Sequence, residues 1–168
     1  NNTFAEHLNT SFNIQRIITR IDEMESVLEP EMAEHIQRWG NPGKSVEEWK
    51  ANVNNMRIWA RNRPYHVRNH IIEYFRLSGT ANVSLSSNME EGYIGINSID
   101  IVPETPGIDH PNSWSGIYFM GIPIQITATP RSGYEFVRWE GSVNDTAPTI
   151  QVTLTEDITL RAVYQKVK

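Results

Sequence analysis

Cysteine is absent from this 168-residue sequence, and so is any long apolar run. Without cysteine the chain has no disulfide, no thiolate metal ligand and no cysteine nucleophile. Its longest apolar runs, such as Gly121 to Ile124, are far shorter than the roughly 20 residues that a membrane-spanning helix requires. We therefore predict no membrane span. The first residues also lack an initiator Met, a basic segment and an apolar segment, so we expect the chain to be part of a longer one.

Complete catalytic motifs are missing as well. The sequence has no Gly-rich phosphate loop, no Gly-x-Ser-x-Gly turn and no His and Asp placed around a serine. Carboxylate pairs can be drawn among its 20 Asp and Glu residues, but nothing singles out a glycosidase pair. We predict no catalytic residue, no cofactor and no metal in this chain, which would then not be an enzyme by itself.

Basic charge is scarce in the second half. Residues 1–78 hold ten Lys and Arg against ten Asp and Glu, whereas residues 79–168 hold five against ten. Nucleic-acid binding requires a basic face that neutralises phosphates. An acidic second half therefore argues against a nucleic-acid partner.

The first half has the period of an amphipathic helix. Apolar residues at spacings of three and four form one stripe: Ile14, Ile17, Ile18, Ile21, Met24 and Leu28. Thr10, Ser11 or Asn13 is expected to cap this helix. Pro30 suits the first turn of a second helix that ends at Trp39, with Gly40 as its left-handed C-terminal residue. Ser45 and Glu48 form a capping box for a third helix, and Pro64 marks a break or the first turn of a fourth. Four helices are expected.

The period then changes to two, which is typical of strands. Ile150, Val152 and Leu154 alternate with polar residues, as do the alternate positions from Ile158 to Tyr164. Thr155 to Asp157 is predicted to be a hairpin between these last two strands. The sequence thus predicts an α+β chain: an N-terminal helical bundle segment over 1–78, followed by a small antiparallel sandwich-like β domain over 79–168.

Two groups of polar residues in the helical half are candidate sites. His66, His70 and Glu73 lie at spacings of four and three on one face, but a metal would need further ligands, and a solvated stripe is favoured. Arg57, Arg61, Arg63 and Arg68 form a basic run. A phosphate site is conceivable there, but pairing with nearby glutamates is favoured.

In the second half, Glu140 with residues 144–146 offers oxygens for calcium, but an ordinary Asn-Asp turn explains these residues better. Aromatic residues are the best binding candidates. Trp139 is expected in the core, whereas Trp114 lies in the polar stretch Asn112-Ser113-Trp114-Ser115. Trp114 and Tyr118 are therefore the candidates for stacking on a sugar ring.

Two stretches resemble known families. Residues 31–39 read Glu-Met-Ala-Glu-His-Ile-Gln-Arg-Trp, followed by Arg63-Pro64 and Phe75-Arg76-Leu77. This resembles the C-terminal helices of the CotH (spore-coat protein H) kinase family. Residues 128–141 read Ala-Thr-Pro-Arg-Ser-Gly-Tyr-Glu-Phe-Val-Arg-Trp-Glu-Gly, and Leu160 to Tyr164 follow. This is similar to the internalin B-type repeat of bacterial surface proteins.

The resemblance implies the C-terminal region of an exported bacterial protein, secreted or at the cell surface. The lysine and aspartates on which kinase activity depends in the CotH family have no match in this chain. The expected role is therefore non-catalytic: the helices would complete an upstream kinase-like domain and expose apolar surface for it, and the β domain would serve structure or attachment. The alternative is a carbohydrate-binding accessory module of a cell-surface or cellulosome-type protein, with a cell-wall or polysaccharide partner.

Overall fold

The computed structural model describes residues 2–167 and contains, within that range, three helices and eight strands. The helices are α1 (Asn2–Asn9), α2 (Ile14–Trp39) and α3 (Val46–Phe75). The strands are β1 (Thr80–Ser86), β2 (Gly92–Ile96), β3 (Ile99–Asp100), β4 (Ser113–Phe119), β5 (Pro123–Pro130), β6 (Tyr134–Gly141), β7 (Thr149–Thr153) and β8 (Ile158–Lys166). The predicted α+β class, with helices first and a sandwich-like β part after them, is confirmed.

The chain divides into two compact units. One unit is Phe12–Val67, and the other joins the described residues up to Ser11 to those from Arg68 onward. The grouping of α1 with the strands was not predicted from the sequence. The predicted division into 1–78 and 79–168 stays a prediction about domain limits, and β1 begins at Thr80.

The Phe12–Val67 unit has its own core between α2 and the first part of α3. Its buried members are Ile21, Met32, Ile36, Trp49, Val53 and Ala60. Three predicted helix ends are confirmed: the start of α2, its C-terminal end and the start of α3. Asn13 accepts a hydrogen bond from the Gln15 N–H at the start of α2, and Gly40 closes it at a φ of 64°. Ser45 Oγ accepts from the Glu48 N–H as a capping box requires, although the Glu48 carboxylate accepts from the Lys44 N–H.

The expectation of four helices is wrong, because both prolines lie inside continuous helices. Pro30 is an interior residue of α2 and Pro64 of α3. An interior proline costs a helix a backbone hydrogen bond, about 3 kcal/mol in an isolated helix. In α2, the buried residues Ile21, Met32 and Ile36 lie on both sides of Pro30. Burial of one continuous face along α2 therefore outweighs the local penalty.

The strands form two four-stranded sheets. Sheet A has the order β4-β1-β8-β6 and sheet B the order β3-β2-β5-β7. The strand pairs are antiparallel except β1 and β8, which run parallel. The predicted hairpin at residues 155–157 is wrong, because β7 pairs with β5 in sheet B whereas β8 pairs with β1 and β6 in sheet A. That link crosses from one sheet to the other.

The core of the β part lies between the inner faces of the sheets. Trp139 is fully buried, as predicted, and its Nε1 donates to the Ala147 carbonyl at 3.0 Å. Tyr164 of sheet A donates its hydroxyl to the Tyr93 carbonyl of sheet B at 2.8 Å. Its ring leaves no room for a side chain at Gly92, where a Cβ would lie 2.5 Å from ring carbons. These contacts join the two sheets.

Candidate functional site

An exposed apolar face lies on α2. Met24, Val27 and Leu28 have 52%, 73% and 48% of their surface exposed, and they line a groove of about 290 Å³ with Arg20 and Glu23. We call these five residues the α2 face. Soluble surfaces expose single apolar residues freely, but contiguous apolar patches mark interaction sites. The apolar surface that the helices were expected to expose is present here. Of the predicted apolar stripe of α2, Ile21 is buried, whereas Met24 and Leu28 lie on this exposed face.

Charged groups hold α2 against α3 in this unit. Arg57 of α3 pairs with Glu25 and, at 2.6 Å, with Asp22. The Glu25 and Asp22 carboxylates raise the pKa of Arg57, the Glu25 contact most. Intramolecular pairing of the basic run was predicted, with Glu47, Glu48 and Glu73 as the nearby carboxylates. The observed pairs occupy one of the four arginines of that run.

In the other unit, α1 is fastened to the β4 edge of sheet A by a side-chain amide. Asn9, 9% exposed, donates from Nδ2 to the Ile117 carbonyl at 3.0 Å, and its Oδ1 accepts from the Ile117 N–H at 3.0 Å. Arg68 donates to the same Oδ1 at 3.3 Å. Asn9 thus gives Ile117 the two hydrogen bonds that a neighbouring strand would give. An edge strand with unpaired backbone groups is open to other chains, so α1 closes this point of the edge.

Two further contacts are made by buried polar residues, Glu6 of α1 and Thr10, which directly follows α1. Glu6 is 4% exposed and its carboxylate accepts a hydrogen bond from Ser98 Oγ. Gly107 lies against Thr10 so closely that a Cβ would meet the Thr10 carbonyl oxygen at 2.4 Å. The sequence pattern does not reveal this arrangement, because an eight-residue helix shows too little apolar period to be recognised. Helix α1 therefore packs on the β part of the same chain, at the β4 edge of sheet A.

The structure places both predicted stacking residues in the core. Trp114 is 6% exposed and Tyr118 0%, and their rings meet edge to face with centroids 6.5 Å apart. Trp114 lacks the exposure on which its candidacy depended, because β4 alternates: its serine neighbours face outward, while Trp114, paired with Leu85, faces inward. Burial raises the pKa of Tyr118, and the charge of Glu6 adds to the effect. Neither ring offers a free face to a sugar.

The remaining polar candidates do not come together as a metal or phosphate site. His66 and His70 lie exposed on α3. Within residues 2–167, no group of three or more His, Asp and Glu is arranged to hold a metal ion. Asp145 accepts from the Ala147 N–H at 2.8 Å, which confirms the predicted turn. No helix in the described part of the chain is both long enough and apolar enough to cross a membrane.

These features define a class: a helical segment with an exposed apolar face, joined to a two-sheet β part that carries its own helix. Residues 1–67 match the model of the family described as CotH kinase protein, and residues 102–168 match that of the divergent InlB B-repeat domain. Both matches agree with the resemblances that the motifs indicated, and each covers less than half of the chain. No curated protein matches it.

The two matches divide the sequence differently from the packing. α1 lies in the CotH match, yet it packs on β4, which lies in the repeat match. Strands β1 to β3 lie outside both matches. However, β1 is the strand between β4 and β8 in sheet A, and β2 lies between β3 and β5 in sheet B. The match to the repeat model therefore covers five of the eight strands that form the two sheets of the described chain.

Proposed function

We propose that this chain is a non-catalytic region of an exported bacterial surface or spore-coat protein. Its Phe12–Val67 unit completes a CotH kinase domain, and its β part is a structural or attachment module. The observation that carries the proposal is the α2 face, which lies within the CotH match and leaves Val27 73% exposed. Covering such apolar surface contributes about 25 cal/mol for each Å² removed from water.

The occupant we propose is the kinase-like domain that precedes these helices in the same protein. Its support is the family match together with the composition of the α2 face, in which Arg20 and Glu23 flank three apolar side chains. Charged residues around an apolar centre are the usual arrangement of an interface, with its dry core and polar rim. The β part then follows as a separate module.

A single-cysteine labelling experiment tests this occupant, since the chain has no cysteine of its own. Val27→Cys is made in the 168-residue chain and in a longer protein that includes the preceding kinase-like domain. We expect fast maleimide labelling in the chain and labelling about tenfold slower or more in the longer protein, because burial blocks the thiol. Ser132→Cys, on an exposed turn of the β part, is the control and should react equally in both.

Equal labelling rates of Val27→Cys in the two proteins would refute the proposed occupant. Slow labelling in the 168-residue chain alone, restored on dilution, would show a second copy on the α2 face instead. Sedimentation velocity over the same concentrations identifies that case.

The non-catalytic part of the proposal rests on the absence of recognisable nucleotide-binding residues in the sequence. We expect the 168-residue chain to give no heat of binding with ATP and magnesium in a calorimetric titration. The longer protein is measured beside it. A saturable heat in the 168-residue chain would contradict the proposal and assign a nucleotide site to these residues.

Carbohydrate binding remains the alternative prediction. The burial of Trp114 and Tyr118 weighs against the stacking platform on which it was based. A glycan array with the wild-type chain tests it, and we expect no signal. A signal that Trp114→Ala removes, in a variant that still unfolds cooperatively, would restore the alternative.

A further inference from the structure

A polar groove lies where the loop after β1 meets the start of β4. Its volume is about 320 Å³, and it is lined by Ser86, Ser87, Asn88, Asn112 and Arg161. We call it the Arg161 groove. No carboxylate is among these lining residues, although residues 79–168 carry twice as many acidic as basic side chains. The groove therefore has a positive charge balance, in contrast to the acidic balance of residues 79–168.

Both asparagines of the groove are fixed by their oxygens. Asn112 Oδ1 accepts from the Met89 N–H at 3.0 Å, and Asn88 Oδ1 accepts from the Glu90 N–H at 3.1 Å. Each amide therefore has its acceptor occupied and its NH₂ left as a donor. The backbone holds both amides in place, so a ligand that accepts hydrogen bonds meets donors that are already ordered.

Arg161 supplies a cation to the same groove. Its partners across the sheet are Ser86 on β1 and Glu140 on β6. Glu140 is the carboxylate nearest in register, but it accepts two hydrogen bonds from Arg138, at 3.1 and 2.5 Å. The Arg161 guanidinium makes no ion pair with any described residue. It is thus a charged donor without an ion-pair partner within 4 Å among the described residues, although Glu140 lies opposite it in register.

We propose that the Arg161 groove binds an oxyanion, as a phosphate or carboxylate group of a larger molecule. A guanidinium and ordered amide NH₂ groups form charge-assisted hydrogen bonds with such an oxygen, about twice as strong as neutral ones. The acidic balance of the β part opposes a long polyanion, so the ligand presents one anionic group at a time. For a single group we expect a dissociation constant of about 1 mM, or about 4 kcal/mol of binding free energy. This inference does not depend on the proposed function.

Titrations followed by ¹⁵N–¹H NMR test the groove on the 168-residue chain. The probes are inorganic phosphate and acetate, each with sodium chloride at matched ionic strength. We expect saturable shifts of the backbone amides of Ser87, Met89 and Glu90 with phosphate, with acetate or with both. Saturation with phosphate alone identifies a phosphate site, and saturation with acetate alone identifies a carboxylate site. Shifts that stay linear, or that chloride reproduces, would overturn the proposal.

Two variants locate the binding. Asn88→Asp keeps the oxygen that accepts from Glu90 but replaces the NH₂ donor by a second, negatively charged oxygen. Arg161→Gln removes the cation. We expect each to weaken binding about tenfold or more, because each removes a charge-assisted or ordered donor. Lys166→Gln, which removes one positive charge from the same strand outside the groove, should leave the dissociation constant within about twofold.

The comparison between variants decides the proposal. Equal weakening by Arg161→Gln and Lys166→Gln would show a non-specific charge effect and overturn it. So would full affinity in both groove variants. Because Arg161 is exposed and makes no ion pair with a described residue, its replacement should leave the fold intact even if Asn88→Asp disturbs the loop.

Discussion

The attachment of α1 to the β4 edge gives the sharpest test of the fold. Asn9→Ala removes the amide that exchanges two hydrogen bonds with the Ile117 backbone, each at 3.0 Å. It also removes the acceptor for Arg68. The predicted result is that α1 detaches more readily from sheet A and that the β4 edge opens at this residue.

The size of the effect follows from these contacts. A hydrogen bond contributes a net of about 0.5–1.5 kcal/mol, and a buried group left unpaired costs about 1–3 kcal/mol. Since the Ile117 N–H and carbonyl are partly buried and lose their partner together, we expect Asn9→Ala to lower the free energy of unfolding by about 2–4 kcal/mol. Asn2→Ala is the matched control on the same helix. Asn2 donates one exposed hydrogen bond, to the Pro123 carbonyl, and its loss should cost about 1 kcal/mol or less.

Two measurements are needed because a chain with two compact units need not unfold in a single step. Urea unfolding followed by tryptophan fluorescence gives the change in stability. Amide hydrogen exchange at Ile117 reports the local opening of the edge. Costs for Asn9→Ala and Asn2→Ala within about 0.5 kcal/mol of each other, or unchanged exchange at Ile117, would refute the role assigned to Asn9.

Three further predictions concern buried and ionised groups of the β part. Tyr118→Phe should leave the free energy of unfolding unchanged or raise it by up to about 1 kcal/mol, because the Tyr118 hydroxyl is buried and its contact with the Asn9 side chain falls short of hydrogen-bond geometry. A clear loss of stability in urea unfolding would mean that the Asn9 contact is a hydrogen bond. Trp114→Ala should lower the free energy of unfolding by about 3–5 kcal/mol, the usual cost of deleting a buried tryptophan. A cost under about 1 kcal/mol, measured by urea unfolding, would show that the ring is exposed. Hydrogen bonds from the side chain and backbone of Asn82 lower the pKa of Asp157 below 3.8. The resulting stabilisation is present above the ordinary pKa and is lost as the pH falls through the lower, folded pKa. Asn82→Ala should therefore bring the Asp157 pKa, measured by NMR, back toward 3.8, and an unchanged value would contradict this cause.

The predictions that succeeded depend on neighbours close in sequence. The cap at Asn13, the left-handed Gly40 and the capping box at Ser45 are local geometries, set by a few residues on either side. The alternation along β8 is likewise visible in the sequence, because every second residue faces the core. Such local geometries can be predicted without knowing the tertiary contacts of the rest of the chain.

The predictions that failed depend on distant partners. Pro30 is an unfavourable interior helix residue, and only the core shared by α2 and α3 keeps α2 continuous through it. A short link such as Thr155 to Asp157 can turn back or cross between sheets, and only the pairing of β8 with β1 decides which. The polar neighbours of Trp114 suggested exposure, whereas strand pairing turns its ring inward.

The sequence by itself determined the α+β order, both ends of α2, the start of α3 and the absence of cysteine chemistry, because these follow from composition, from cap residues and from periods of 3.6 and 2. Its motifs also indicated the two families whose models match parts of the chain, since the Gly-Tyr-x-Phe turn and the helical Arg-Trp stretch are short and contiguous. Tertiary structure alone decided that α1 belongs to the β part and that Trp114 and Tyr118 lie in the core. It also brought Arg161 beside the two asparagines of the groove. Each of these depends on contacts between residues far apart in the chain, for which a single sequence carries no periodic signal.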